Sequence, residues 1–233
     1  MQESGGHTLK AFDEDIGQLR ALICEMGGLA EHAISEAMRA LMQRDVEGAR
    51  AVVEADARLD ALEAEAEAGV VRLIALRAPM ADDLRDAVAA LKIAAVVERI
   101  GDYAKNIAKR VSLLEGRGRI EPLSMLPEMA RIAAEMVHNV LDAFVERDAA
   151  KAREVCERDR ALDDFYNSIF RALLTFMMEN PQNITEAAHL LFVARNLERI
   201  GDHATNIAEM VVYAATGERM GERQKGLDPE AGR

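Results

Sequence analysis

The chain has 233 residues, half of them apolar and 30% charged, a composition that supports a folded core rather than a disordered chain. Its net charge of −12 argues against a nucleic-acid partner, whose phosphates need a basic face. It argues equally against direct capture of phosphate anions, unless a bound cation reverses the local sign.

Only 4% of residues are aromatic, Trp is absent and five prolines interrupt a chain rich in Ala, Leu, Arg, Glu and Met. That palette is helical, and no period-two run marks a strand. The start, MQESGGHTLKAFDEDIG, has neither the basic end nor the apolar centre of a signal peptide. A first helix is predicted over 8–42. Asp45 suits the N-cap of a second, 45–77, which stops before Pro79. A third runs over 81–115. EGRGRIEP (115–122), with two glycines and a proline, is the natural boundary. The fourth helix is expected over 123–146, the fifth over 149–179 behind Asp148, and the sixth over 184–216 after Pro181. The remainder, 218–233, reads as a polar, frayed tail. Cys24 and Cys156 lie among apolar residues, are read as small buried hydrophobes, and form no metal-ligand spacing; a reducing, cytoplasmic setting follows. No apolar run has the length of a membrane span, so work at a membrane would go through a partner.

The chain is a duplication. ERIGDYAKNIAKR (98–110) and ERIGDHATNIAEM (198–210) agree at nine of thirteen positions, and DVEGARAVVEADARLD (45–60) and DAAKAREVCERDRALD (148–163) at eight of sixteen. Short turns force neighbouring helices antiparallel. The expected fold is all-α: two tandem, pseudo-symmetric three-helix bundles, 1–116 and 121–217, built of six long antiparallel helices with no β-sheet.

At 100° per residue, Ile93, Val97, Ile100, Ala104, Ile107 and Val111 share one face of the third helix, and Val193, Leu197, Ile200, Ala204, Ile207 and Val211 share one face of the sixth. Glu98, Asp102 and Asn106 lie nearly opposite that core stripe, as do Glu198, Asp202 and Asn206. They are expected on an outer surface or in a groove beside another helix. The second and fifth helices repeat the habit with Asp56 and Asp60, and Asp159 and Asp163. Like charges at i,i+4 repel by about 0.2–0.5 kcal/mol per pair. A shared cation would turn repulsion into coordination, and all-oxygen ligands suit magnesium, manganese, calcium or carboxylate-bound iron. The alternative is a solvated acidic face whose members pair with nearby Lys or Arg. Gly101 and Gly201, costly in mid-helix, point to a close helix approach beside the acids. Arg99 and Arg199, one position on, are read as pairing with acids of a neighbouring helix. Asn106 and Asn206 could be further ligands or hydrogen-bond partners behind them. A second apolar stripe, Leu84, Val88 and Leu91, could pack the two bundles together, pack a dimer or receive a partner.

LIALRAPMADDLRDAVAALKIAAVVERIGDYAKNIAKR and NPQNITEAAHLLFVARNLERIGDHATNIAEMVVYAATGE resemble the two signature regions of the PhoU family of bacterial phosphate-transport accessory proteins. The resemblance runs from about His7 to Glu218. It implies two three-helix bundles about an approximate two-fold axis, in a cytoplasmic and often dimeric protein. It implies a negative regulator of the phosphate-starvation response, bridging the ATPase of the phosphate ABC transporter and a sensor histidine kinase. It also implies metal on the acidic motifs, here Asp56, Asp60, Glu98 and Asp102, and Asp159, Asp163, Glu198 and Asp202. Iron, manganese, magnesium or zinc are the candidates.

Two other readings compete. A metal-free adaptor would dock its acidic face on a basic partner. A ferritin-like di-metal oxidase would use Glu-x-x-His steps facing one core. Glu135–His138 and Glu186–His189 are such steps, but Ser35 and Ala89 stand at the equivalent histidine positions of the first half. No phosphate-binding glycine loop or Ser-His-Asp arrangement supports an enzyme.

Overall fold

The structure, a computed structural model, describes residues 4–116 and 121–221, with side chains from residue 11 onward. Helix α1 spans Ser4–Gln43, α2 Val46–Arg77, α3 Asp82–Leu113, α4 Leu126–Glu146, α5 Ala149–Glu179 and α6 Ile184–Thr216. Among the described residues there is no strand. Most of the expected tail, from 222 onward, and 117–120 of the expected boundary lie outside the described residues.

The ends are set locally. Asp45 accepts a hydrogen bond from the Gly48 N–H, and Asp148 accepts from the N–H groups of Ala150 and Lys151, so both act as the predicted N-caps. Before each of these aspartates, Arg44 (φ 60°) and Arg147 (φ 54°) turn the chain through the left-handed region. Gly217, at φ 76°, ends α6 without the steric cost a side chain would carry there. The fourth helix begins at Leu126 rather than 123, because Glu121–Met125 forms a short 3-10 turn ahead of Pro127, which fits only a first helical turn.

Packing follows the stripes. Ile93, Val97, Ile100, Ala104 and Ile107 are fully buried, as are their counterparts on α6. Helices α1, α2 and α3 pack together, and so do α4, α5 and α6. The halves join through α3 against α6 and α1 against α4, which leaves α2 and α5 outermost. Arg110 stacks 3.6 Å above the Phe192 ring, and a Cβ on Gly217 would lie 3.5 Å from the Arg85 guanidinium. Residues late in α3 therefore meet residues early in α6, and the reverse, so the two helices run antiparallel. Equivalent residues meet where they cross: Tyr103 and His203 stack with centroids 5.3 Å apart, and the Tyr103 hydroxyl lies 3.2 Å from His203 Nε2. The pseudo-two-fold axis passes between them.

Two ion pairs repeat that symmetry. Arg44, in the α1–α2 turn, reaches Glu186 on α6 at 2.5 Å, and Arg147, in the α4–α5 turn, reaches Asp86 on α3 at 3.1 Å. Arg20 of α1 adds a second contact to Asp86 at 2.9 Å. Each half thus closes a turn onto a buried acid of the other.

Apolar side chains stay exposed at the two helical-hairpin tips: Val71, Leu76, Met80 and Leu84 at one, Leu174, Met178 and Ile184 at the other. Of the second stripe on α3, Leu91 packs against the core while Leu84 remains exposed. The cysteines depart from expectation: Cys24 is exposed and Cys156 only half-buried, since both fall on the rim of their helices' apolar faces rather than at its centre. No described helix is long and apolar enough to cross a membrane.

Candidate functional site

The acidic residues gather where two helices approach most closely. A Cβ built on Gly101 of α3 would lie 2.2 Å from Leu59 Cδ2 of α2 and 3.7 Å from Asp56 Oδ1. On Gly201 of α6 it would lie 2.3 Å from Leu162 Cδ2 and 3.2 Å from Asp159 Oδ1 of α5. The glycines do what their mid-helix cost suggested: they let α2 meet α3, and α5 meet α6, beside the acids. Each row is thus made within one half, by two helices. Of the two placements expected from the helical wheel, the groove beside another helix is the one observed.

In the first row Asp56 is nearly covered, with 8% of its side chain exposed, while Asp60 is exposed and Glu98 and Asp102 are half-buried. Burial, then the carboxylates of Asp102, Asp60, Asp56 and Glu63, push the Glu98 pKa up. The four predicted carboxylates of this row therefore share one electrostatic neighbourhood. Its cation is Lys105. The ammonium Nζ reaches Asp102 Oδ1 at 2.5 Å on its own helix and also donates to Asp56 Oδ2 across the groove. Burial acts to lower the Lys105 pKa, but the bonds to Asp102 and Asp56 outweigh it and hold the ammonium well above the usual lysine range. For Asp56 and Asp102, pairing with a nearby base is the arrangement found.

The second row keeps the carboxylates and changes the cation. Asp159 and Glu198 are buried at 9% exposure, and Asp163 and Asp202 are half-buried. Thr205 stands where the first row has Lys105, and its hydroxyl donates to the backbone carbonyl of Asp202 at 2.7 Å. Arg195, where the first half has Ala95, reaches Glu198 Oε1 at 3.2 Å from one turn earlier on α6 and lies over the Tyr166 ring of α5. Asn206 Nδ2 lies 3.5 Å from His203 Nδ1, which turns it toward the α3–α6 crossing; Asn106 is half-buried beside its row. Among the described residues no three His, Cys, Asp or Glu side chains are already drawn together as ready-made metal ligands.

The crossing itself carries positive charge. Arg199 lies 5.9 Å over the Tyr103 ring, and Arg99 is exposed; among the described residues neither makes the ion pair with a neighbouring acid that the sequence suggested. Position one after the motif Glu turns Arg199 onto a ring of the other half, and Arg99 lies near enough to His203 of the other half to act on its charge. Burial, then Arg99, lower the His203 pKa, with Asp202 opposing and Arg199 adding to the fall.

The Glu-x-x-His steps do not converge. Glu135 pairs with Arg131 on the outside of α4, and His138 lies 3.4 Å from Glu31. Glu186 is held by Arg44. The centre between the helices is filled by apolar side chains, which leaves no room for the oxidase arrangement.

The PhoU domain family model matches this chain twice, over residues 23–111 and 126–211. A phosphate-specific transport system accessory protein PhoU homolog of Zymomonas mobilis is 57% identical over 223 residues, 96% of this chain and 94% of that one. A homolog of the same description from Caulobacter vibrioides is 47% identical, over 95% of this chain and 97% of its own. The crystal structure of PhoU from Pseudomonas aeruginosa superposes with a TM-score of 0.84 at 35% identity, over 89% of this chain and all of that one. That of the phosphate transport system regulatory protein PhoU from Streptococcus pneumoniae also gives 0.84, at 28% identity, over 91% of this chain and all of its own.

Proposed function

This chain belongs to the PhoU family, and from that premise we propose that it is a cytoplasmic, non-enzymatic accessory protein of phosphate transport that represses the phosphate-starvation response. In this reading it meets the ATPase of the phosphate ABC transporter and a sensor histidine kinase, as a homodimer, and favours the inhibited kinase while phosphate is plentiful. The observation that carries it is full-length similarity: a transport-system accessory homolog matches 96% of this chain at 57% identity.

The geometry suits an adaptor better than a catalyst. The bundle interiors are largely apolar, and the clustered carboxylates lie in grooves between neighbouring helices whose outer members, Asp60, Asp102, Asp163 and Asp202, keep some exposure. Metal on the acidic rows remains part of the proposal. Asp159, Asp163, Glu198 and Asp202 would supply oxygen ligands at a groove narrowed by Gly201, and a bound cation would reverse the sign of that surface toward an anionic partner. A metal-free version of the same adaptor is favoured by one observation, the Lys105 ammonium already seated between Asp56 and Asp102.

The test is genetic and biochemical together. Deleting the gene in its own cell should switch on phosphate-starvation genes in phosphate-rich medium, and the tagged chain should retain the transporter ATPase and the kinase on purification. Unchanged repression in the deletion strain would sink the reading.

A further inference from the structure

The carboxylates of the two acidic rows recur at equivalent positions, but the cations beside them do not. Lys105 in the first half is replaced by Thr205 in the second. Lys105 is not a loose surface lysine: its side chain is 21% exposed, and its ammonium contacts one carboxylate on α3 and another, nearly covered, on α2. Thr205 is fully buried and turned back onto its own helix. A metal bridging α2 and α3 would need the oxygens of Asp56 and Asp102 at about 2.0–2.6 Å, and those are the oxygens the ammonium holds. The two cations exclude each other.

We infer that Lys105 is the resident cation of the first row and closes that row to metal. The assignment of Lys105 does not rest on the metal reading proposed above. A tethered ammonium also holds α2 to α3 regardless of metal supply, so the first half stays closed when metal is scarce.

The experiment loads the full-length protein with Mn2+ and counts bound ions by mass spectrometry and electron paramagnetic resonance. Wild type is compared with Lys105→Thr, Lys105→Arg, Asp102→Asn and Lys105→Thr/Asp102→Asn, each first shown by circular dichroism to be folded. The expected result is one more Mn2+ per chain in Lys105→Thr than in wild type. The extra ion should be lost in the double variant and never gained in Lys105→Arg, which keeps the charge. If wild type binds none and Lys105→Thr binds one, the Lys105 assignment stands and the metal reading of the second row falls. If Lys105→Thr binds no more than wild type, or if Asp102→Asn alone removes an ion that wild type holds, the assignment is overturned.

Discussion

One methyl group tests how closely the helices meet at each acidic row. Gly101→Ala and Gly201→Ala both gain helix propensity, worth about 1 kcal/mol. Both also push a new carbon against a buried leucine methyl, at 2.2 and 2.3 Å. Overpacking of this kind costs about 1–3 kcal/mol, less where the obstacle is a mobile chain end. At Gly101 the leucine can rotate away and Asp56 is 3.7 Å off; at Gly201 the Asp159 carboxylate crowds the same carbon at 3.2 Å. Gly201→Ala should therefore be destabilised by about 1–2 kcal/mol and Gly101→Ala by less than about 1 kcal/mol. Urea unfolding of the two variants decides it, and equal losses would mean that the Asp159 contact does not matter. Cys24 offers a second residue-level test. The residue is exposed, yet partial burial of its thiol, and then the Asp142 carboxylate, push its pKa up. Its alkylation by iodoacetamide, followed by peptide mass spectrometry across pH, should reach half its maximal rate above the ordinary cysteine value of about 8.5. Asp142→Asn should lower that midpoint without restoring the ordinary value, since burial remains; a midpoint unmoved by the substitution would remove Asp142 from the account.

At the scale of the elements, the two pairs that clamp the halves should not be equal. Arg44 and Glu186 are both well covered, with 15% and 6% of their side chains exposed. Arg147 is 41% exposed, and its partner Asp86 keeps Arg20. Breaking a buried pair from one side costs about 3–5 kcal/mol, whereas an exposed pair contributes about 1 kcal/mol or less. Arg44→Met should thus cost about 3 kcal/mol and Arg147→Met under about 1 kcal/mol. Adding Glu186→Gln to Arg44→Met should recover part of the loss, because the double variant no longer buries a lone carboxylate. Similar losses at Arg44 and Arg147 in chemical denaturation would contradict this ranking. These turns also mark the limit of what the sequence could tell. The helices were legible because apolar residues recur at helical spacing and because Asp45, Asp148, Pro79 and Pro181 punctuate the chain at their ends. The two acidic rows were legible because i,i+4 acids recur at equivalent positions. Pairings between the halves were not, since a repeat shows which residues are equivalent and not which ones touch. Arg44 and Arg147 recur, as do the acids Asp86 and Glu186, yet only the antiparallel docking of α3 on α6 brings each arginine to the opposite acid. Lys105 was half legible: its spacing from Asp102 fits a same-helix pair, but its reach to Asp56 depends on the register of α2 on α3.

For the molecule as a whole, the question is whether two bundles behave as two bodies or one. The apolar core is continuous through all six helices, and α3 and α6, the most deeply buried elements, belong to different halves and bury their faces partly on each other. Because α3 and α6 are antiparallel, the two exposed apolar tips lie at opposite ends of the molecule, near Met80 and near Met178. An adaptor that carried a signal from one tip to the other would need the span between them to be stiff. Hydrogen exchange measures that stiffness directly. The amides of 100–111 and 200–211 should exchange slowest and through the same global opening, since neither stripe can be exposed without uncovering the other. Arg44→Met, which breaks the Arg44–Glu186 pair at the start of α6, should then accelerate both stripes by the same factor, the one on α3 as well as the one on α6. Acceleration confined to α6 would mean that the second bundle opens alone, and the pseudo-two-fold contact would be a hinge rather than part of one core.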